Sequence, residues 1–148
     1  MLRIIAVGKL KDRALGELAA DYQRRIAPLA PLAIEELKDQ NPAREAKQIL
    51  ARLGPPGGNE VVVVLDERGE SVTSPDFAAI LGRYGSLAFV LGGADGYTDD
   101  VRARADRVVR LSRLTLTHEW ARVLLLEQIY RGLTILRGMP YHRGRPHS

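Results

Sequence analysis

The sequence has no cysteine, a single tryptophan, two phenylalanines and no long apolar run. Without cysteine there is no disulfide scaffold, no thiol nucleophile and no thiolate site for zinc or iron–sulfur. That absence suits a reducing compartment, so a cytoplasmic setting is expected. The opening MLRIIAVGKLKDR breaks its short apolar run at Arg3. No secretory signal fits it, and no segment reaches the ~18 apolar residues of a membrane span. His142 and His147 have no acid close by in sequence, and no His/Asp/Glu set has metal-ligand spacing, so no metal is expected. There is no GxSxG, no GxGxxG and no GxxxxGK[ST]. Hydrolase and common nucleotide-loop readings therefore have no support.

What is present is a chain of 148 residues, 45% hydrophobic and 27% charged. One globular domain spanning 1–148 is expected. Lysine disappears from the last third. Residues 101–148 hold ten arginines and three acids (Asp106, Glu119 and Glu127), a net +7 against −3 for residues 1–100. Arginine's planar fork suits phosphate, so this charge points to a polyanion or to a simple compositional bias.

Short β-branched runs alternate with amphipathic ones. Strands are expected at Leu2–Val7, Leu32–Leu37, Glu60–Leu65, Leu87–Leu91 and Arg107–Leu111. Helices are expected at Asp12–Ile26, from Asn41-Pro42 to about Leu53, at Ser74–Tyr84, at Asp99–Ala105 and at Glu119–Leu136. Gly54–Asn59 is a loop and Pro140–Ser148 a polar tail. EVVVVL and LAFVL are apolar without alternation, as in strands buried on both faces. The expected fold is α/β, a largely parallel sheet with helices on both faces.

Ligands of such sheets bind beyond the carboxyl ends of the strands. Three ends are rich: Leu65 to Gly69, Gly92 to Gly96, and Leu111 to His118. Gly92 and Gly93 let backbone approach a ligand, or merely make a turn. Leu114 and Leu116 alternate with Thr115 and Thr117 and could wall an apolar pocket, or simply extend the strand before them. Glu127, Tyr130 and Arg131 read as the solvated face of the last helix. Tyr141, His142, Arg143 and Arg145 combine a ring, an imidazole and two guanidiniums that could stack on a base and grip phosphates, or form a frayed end.

The runs LRIIAVGKLKD, VVVLDERG, FVLGGADGY, LSRLTLTHEWARVLLLEQIYRG and PYHR, in that order over nearly the whole chain, resemble the bacterial RlmH family. These are small SPOUT-class methyltransferases of 23S rRNA. The resemblance implies a C-terminal trefoil knot that forms an S-adenosylmethionine pocket. It implies cofactor contacts at Leu65, Gly92, Gly93 and at Ser112, Arg113, Leu114, Thr115, Leu116 and Thr117. It implies a homodimer that methylates N3 of a pseudouridine in helix 69 on the assembled 70S ribosome, with no membrane and no metal. Tyr141, His142 and Arg143 match the family's tail, implicated in substrate binding and catalysis. His142 is then a candidate base, with solvent the alternative, and Arg143 a candidate for phosphate or a base carbonyl. Another SPOUT enzyme acting on tRNA, or a non-catalytic ribosome factor, would share much of this pattern.

Two further expectations follow. The long last helix carries more apolar surface than one small core covers, so one face is expected at a dimer contact. The tail Tyr141–Ser148, being polar, is expected to add little to folding.

Overall fold

Continuous apolar runs make the centre of a five-stranded parallel sheet. The structure is a computed structural model and describes residues 1–143; the tail residues 144–148 lie outside the described residues. Its strands are β1 (Leu2–Val7), β2 (Leu32–Leu37), β3 (Val61–Ser71), β4 (Leu87–Leu91) and β5 (Arg107–Arg110), in the order β2-β1-β4-β3-β5. All pairings are parallel. β4 is buried along its whole length between β1 and β3, which is why LAFVL carries no polar residue.

Among the described residues five helices cover the two faces: α1 (Arg13–Ile26), α2 (Pro42–Leu53), α3 (Ser74–Arg83), α4 (Asp99–Arg104) and α5 (His118–Leu136). α1, α3 and α5 close one core around Phe89, Ile4 and Ile129. α2 and α4 close the other around Ile5, Val64 and Val90. Alternate residues of β1 and β4 thus feed opposite cores, as the pleat requires. Phe89 is fully buried, and truncating such a ring to alanine costs about 3–5 kcal/mol.

Helix starts follow local chemistry. Asp12 accepts the Leu15 amide at 3.0 Å and caps α1. Asn41 caps α2 with Pro42 in its first turn. α3 is capped by Thr73, one residue before the expected start, through a box with Asp76.

One expectation is corrected and a second is narrowed. The strand expected to stop at Leu65 continues to Ser71 through a bulge, with Leu65 and Glu70 both opposite Val109. The polar run DERG loops out and the backbone returns at Gly69, where a β-carbon would sit 2.6 Å from the Val109 nitrogen. Only glycine fits that approach. The apolar surface of α5 is also covered within the chain. Leu125, Leu126 and Ile129 are fully buried in the core shared with α1 and α3, leaving Trp120 and Leu136 as its large exposed apolar residues. The apolar surface that α5 has left to offer a dimer contact is thus confined to residues such as Trp120 and Leu136. No helix among the described residues is long and apolar enough to cross a membrane.

Candidate functional site

β4, β3 and β5 are neighbours, so the carboxyl ends of β4 and β5 and the bulge of β3 after Leu65 gather three segments that are distant in sequence. Together with the starts of α1 and α5 they enclose a cavity of about 890 Å³. Leu65, Gly92, Gly93, Ser112, Leu114, Thr115, Leu116 and Thr117 all line it. Arg113, within the same loop, is exposed and does not.

Each wall is held by identifiable bonds. Thr117 caps α5 by accepting the Trp120 amide, so the 112–117 loop ends where the helix begins. Ser112 Oγ accepts the Leu114 amide at 2.9 Å. Glu119, in the first turn of α5, accepts the Lys11 and Asp12 amides at 2.8 and 3.0 Å, tying the segment after β1 to the cavity rim. Gly96 adopts φ +81° and donates its amide to the Gly93 carbonyl at 3.1 Å, closing the glycine turn.

Tyr97 escaped the sequence reading although it directly follows GGADG. Its hydroxyl accepts the Gly92 amide at 2.7 Å and reaches the carbonyls of Leu65 (2.7 Å) and Val90 (2.9 Å). One side chain thereby pins β3 to the end of β4. Burial pushes its phenol well above the ordinary range, so it stays protonated. Arg102 stacks over the Tyr97 ring and pairs with Asp66, whose side chain is nearly buried. The aromatic at the end of the glycine run was the available signal. The long-range partners of its hydroxyl were not readable.

The space beside the two glycines is shared with protein. A β-carbon on Gly93 would meet Val7 Cγ1 at 3.1 Å, Glu45 Oε1 at 3.4 Å and Asp39 Oδ1 at 3.5 Å. One on Gly92 would meet the Tyr97 ring at 2.9 Å. A side chain on Gly92 would have to move the Tyr97 ring, whereas one on Gly93 would press on the side chains of Val7, Glu45 and Asp39.

A family model described as "Predicted SPOUT methyltransferase" matches residues 1–142. The chain is 43% identical over 153 residues to the Ribosomal RNA large subunit methyltransferase H of Trichlorobacter lovleyi, covering 95% of this chain and 98% of that one. It is 49% identical over 144 residues to the protein of the same name from Prochlorococcus marinus strain MIT 9303, covering 96% and 92%. The chain belongs to the SPOUT methyltransferase family. A probable methylase family protein of Haemophilus influenzae shares its fold, with TM-score 0.58 and 11% identity over 98% of this chain and 71% of that one.

The methyl donor of a SPOUT methyltransferase is S-adenosylmethionine. The cavity suits it chemically. Leu65, Leu91, Leu114 and Leu116 offer apolar walls for a heterocycle, and Gly92 and Gly93 present bare backbone. Asp95 and Glu67 on the rim favour a cationic sulfonium.

In this SPOUT methyltransferase Tyr141, His142 and Arg143 do not line their own chain's cavity. Tyr141 packs edge-on against Tyr130 with ring centroids 4.7 Å apart, and its hydroxyl donates to Glu127 at 2.7 Å. Glu127 also accepts from Arg131 at 2.8 Å and from Gln128 at 2.7 Å. Glu127 and Arg131, expected on a solvated face, are instead three-quarters or more buried. The sequence misled because their partner, Tyr141, comes fourteen residues later. Burial, then the neighbouring Tyr22 hydroxyl and Glu127, push the Tyr141 phenol up. Arg143 is exposed.

The arginine surplus is only partly available to a polyanion. Arg102, Arg107, Arg122 and Arg131 pair with Asp66, Glu70, Glu36 and Glu127. Arg110, Arg113 and Arg143 form no ion pair among the described residues.

Proposed function

We propose that the chain methylates 23S rRNA of the large ribosomal subunit, at N3 of a pseudouridine in helix 69 on the assembled ribosome. The observation that carries this reading is likeness over nearly full length to relatives named for large-subunit rRNA methylation. The cavity residues give it a chemical basis. Leu65, Gly92, Gly93 and Ser112–Thr117 hold S-adenosylmethionine, with Arg113 turned outward toward RNA phosphate. The family's knot gathers these segments, and one domain carries them all. The protein works as a homodimer in the cytoplasm. As the resemblance to the family implies, Tyr141, His142 and Arg143 of one protomer complete the cavity of the other; their absence from the lining of their own chain's cavity agrees with this.

Held by Leu65, Gly92, Gly93 and the 112–117 loop, S-adenosylmethionine would supply an electrophilic methyl group to N3, whose proton passes to water. The protein's share is orientation and charge. Alignment of N3 lowers the barrier through lost freedom already surrendered on binding. Donors from the tail stabilise the charge that spreads onto the flanking carbonyl oxygens. Incubation with labelled S-adenosylmethionine and 70S ribosomes, followed by mapping of the modified nucleotide, tests the reading. Label on tRNA, or on another rRNA position, would overturn it.

A further inference from the structure

One ring nitrogen of His142 is already engaged. Arg131 Nη1 lies 2.9 Å from His142 Nδ1. A guanidinium has donors only and no lone pair to offer. Arg131 is also held firmly in its charged form, first by its hydrogen bond to Glu127. Nδ1 must therefore accept. A neutral imidazole that accepts at Nδ1 carries its proton on Nε2. Protonating Nδ1 would set two N–H groups face to face and place a second cation beside Arg131.

The groups around this pair keep the arrangement fixed. Glu127 binds Arg131 through both carboxylate oxygens, at 2.8 and 3.3 Å. The Arg131 guanidinium stacks 4.8 Å over the Tyr141 ring. Tyr141 is in turn bonded to Glu127 and lies 3.3 Å from the Tyr22 hydroxyl. Arg25 sits over the Tyr22 and Tyr130 rings on the far side. Tyr141 cannot serve as a base either, because its raised phenol stays protonated. With the Tyr141 hydroxyl donating to Glu127, the side-chain groups the described tail has left to offer are the His142 ring N–H and the Arg143 guanidinium, both donors.

We infer that His142 is a fixed Nε2–H donor to a carbonyl oxygen of the target nucleobase, and that Arg131 is the positioning residue that sets its tautomer. It does not remove the N3 proton, which passes to water. The negative charge left on the ring spreads to its two carbonyl oxygens, and the Nε2–H bond strengthens as that charge grows. This inference rests on the reading that the tail completes a partner's cavity.

Two measurements on the full-length protein decide it. Long-range ¹H–¹⁵N spectra of the histidine-labelled protein at neutral pH, with His142→Gln assigning the signal, should show the Nε2–H tautomer for His142. Arg131→Met should mix the tautomers. An Nδ1–H tautomer or an imidazolium in the unaltered protein would overturn the inference. In single-turnover methylation of 70S ribosomes, His142→Ala should lose about 10²-fold, the usual cost of one such donor. His142→Gln, whose amide N–H falls near Nε2 but cannot take a proton, should stay within about tenfold of the unaltered enzyme. Equal losses for both, recovered at higher pH, would overturn it. Unaltered protein that leaves ribosomes unmethylated would sink the functional reading instead, and the spectra would still decide the state of the ring.

Discussion

The Tyr97 hydroxyl accepts the Gly92 amide at 2.7 Å, so the phenol ring occupies the space a side chain on Gly92 would need. The bond fixes where β4 stops and the cavity begins. Tyr97→Phe keeps the ring but leaves a half-buried amide without its partner. A loss of about 1–3 kcal/mol is expected. Urea unfolding should report it, and calorimetry should show weaker S-adenosylmethionine binding, because Gly92 and Leu65 both line the cavity.

Gly93→Val should act through the fold as well as through the ligand. The added carbons meet Val7 and Glu45 first, and overpacking of this kind costs about 1–3 kcal/mol. A lower unfolding midpoint together with a loss of cofactor affinity is expected. A variant with unchanged stability and lost affinity would mean that the side chain reaches the cavity directly.

The fold was legible where burial is uniform and caps are local. Ile4, Ile5, Phe89 and Val90 announce central strands, and Asp12 and Asn41 announce helix starts within three residues of their targets. β3 beyond Leu65 was not legible. Glu67 and Arg68 face solvent, and the demand for Gly69 comes from Val109, forty residues away. The cavity lining was legible because parallel strands place their ligands at carboxyl ends. Tyr97, Glu119 and the Glu127–Arg131–Tyr141 cluster were not, because each takes its role from a partner outside its own helical or strand period.

Glu45 gives the stability a pH dependence. It is 3% exposed, accepts the Gln40 amide at 2.8 Å and has Asp39 and Asp95 nearby. Burial is the largest influence and raises its pKa above the usual 4.5. Below 4.5 the carboxyl is neutral in both folded and unfolded chains, and its contribution is whole. As pH rises through the raised folded value, that contribution is lost. Glu45→Gln keeps an acceptor for Gln40 and never ionises. It should be more stable than the unaltered protein at neutral pH, with the gain vanishing below about 4.5. Urea midpoints at the two pH values provide the check.

The tail contributes to the fold, contrary to expectation. Deleting residues 141–148 removes the Tyr141 ring from Tyr130 and one donor from Glu127. A loss of about 1–3 kcal/mol is expected from ring packing and the missing hydrogen bond. Tyr141→Phe, which keeps the ring, should lose only about 1 kcal/mol. Thermal melts of the two variants should separate these contributions.

The strand order has a consequence for the newborn chain. Leu2 opens β1 and pairs with Leu87 of β4, so the two central strands are made far apart in time. When β1, α1, β2 and α2 have left the synthetic tunnel, β1 can pair with β2 on one side only. Its other edge, apolar on both faces beyond Arg3, stays open until β4 arrives, and Leu15 and Ala19 of α1 wait longer still for α5. Sheets assembled from such distant pairs form slowly. An open apolar edge held for that interval is a site for wrong pairing between neighbouring chains. Crowded synthesis should therefore threaten this protein before its last helix is made, well before any weakness of the finished fold is felt.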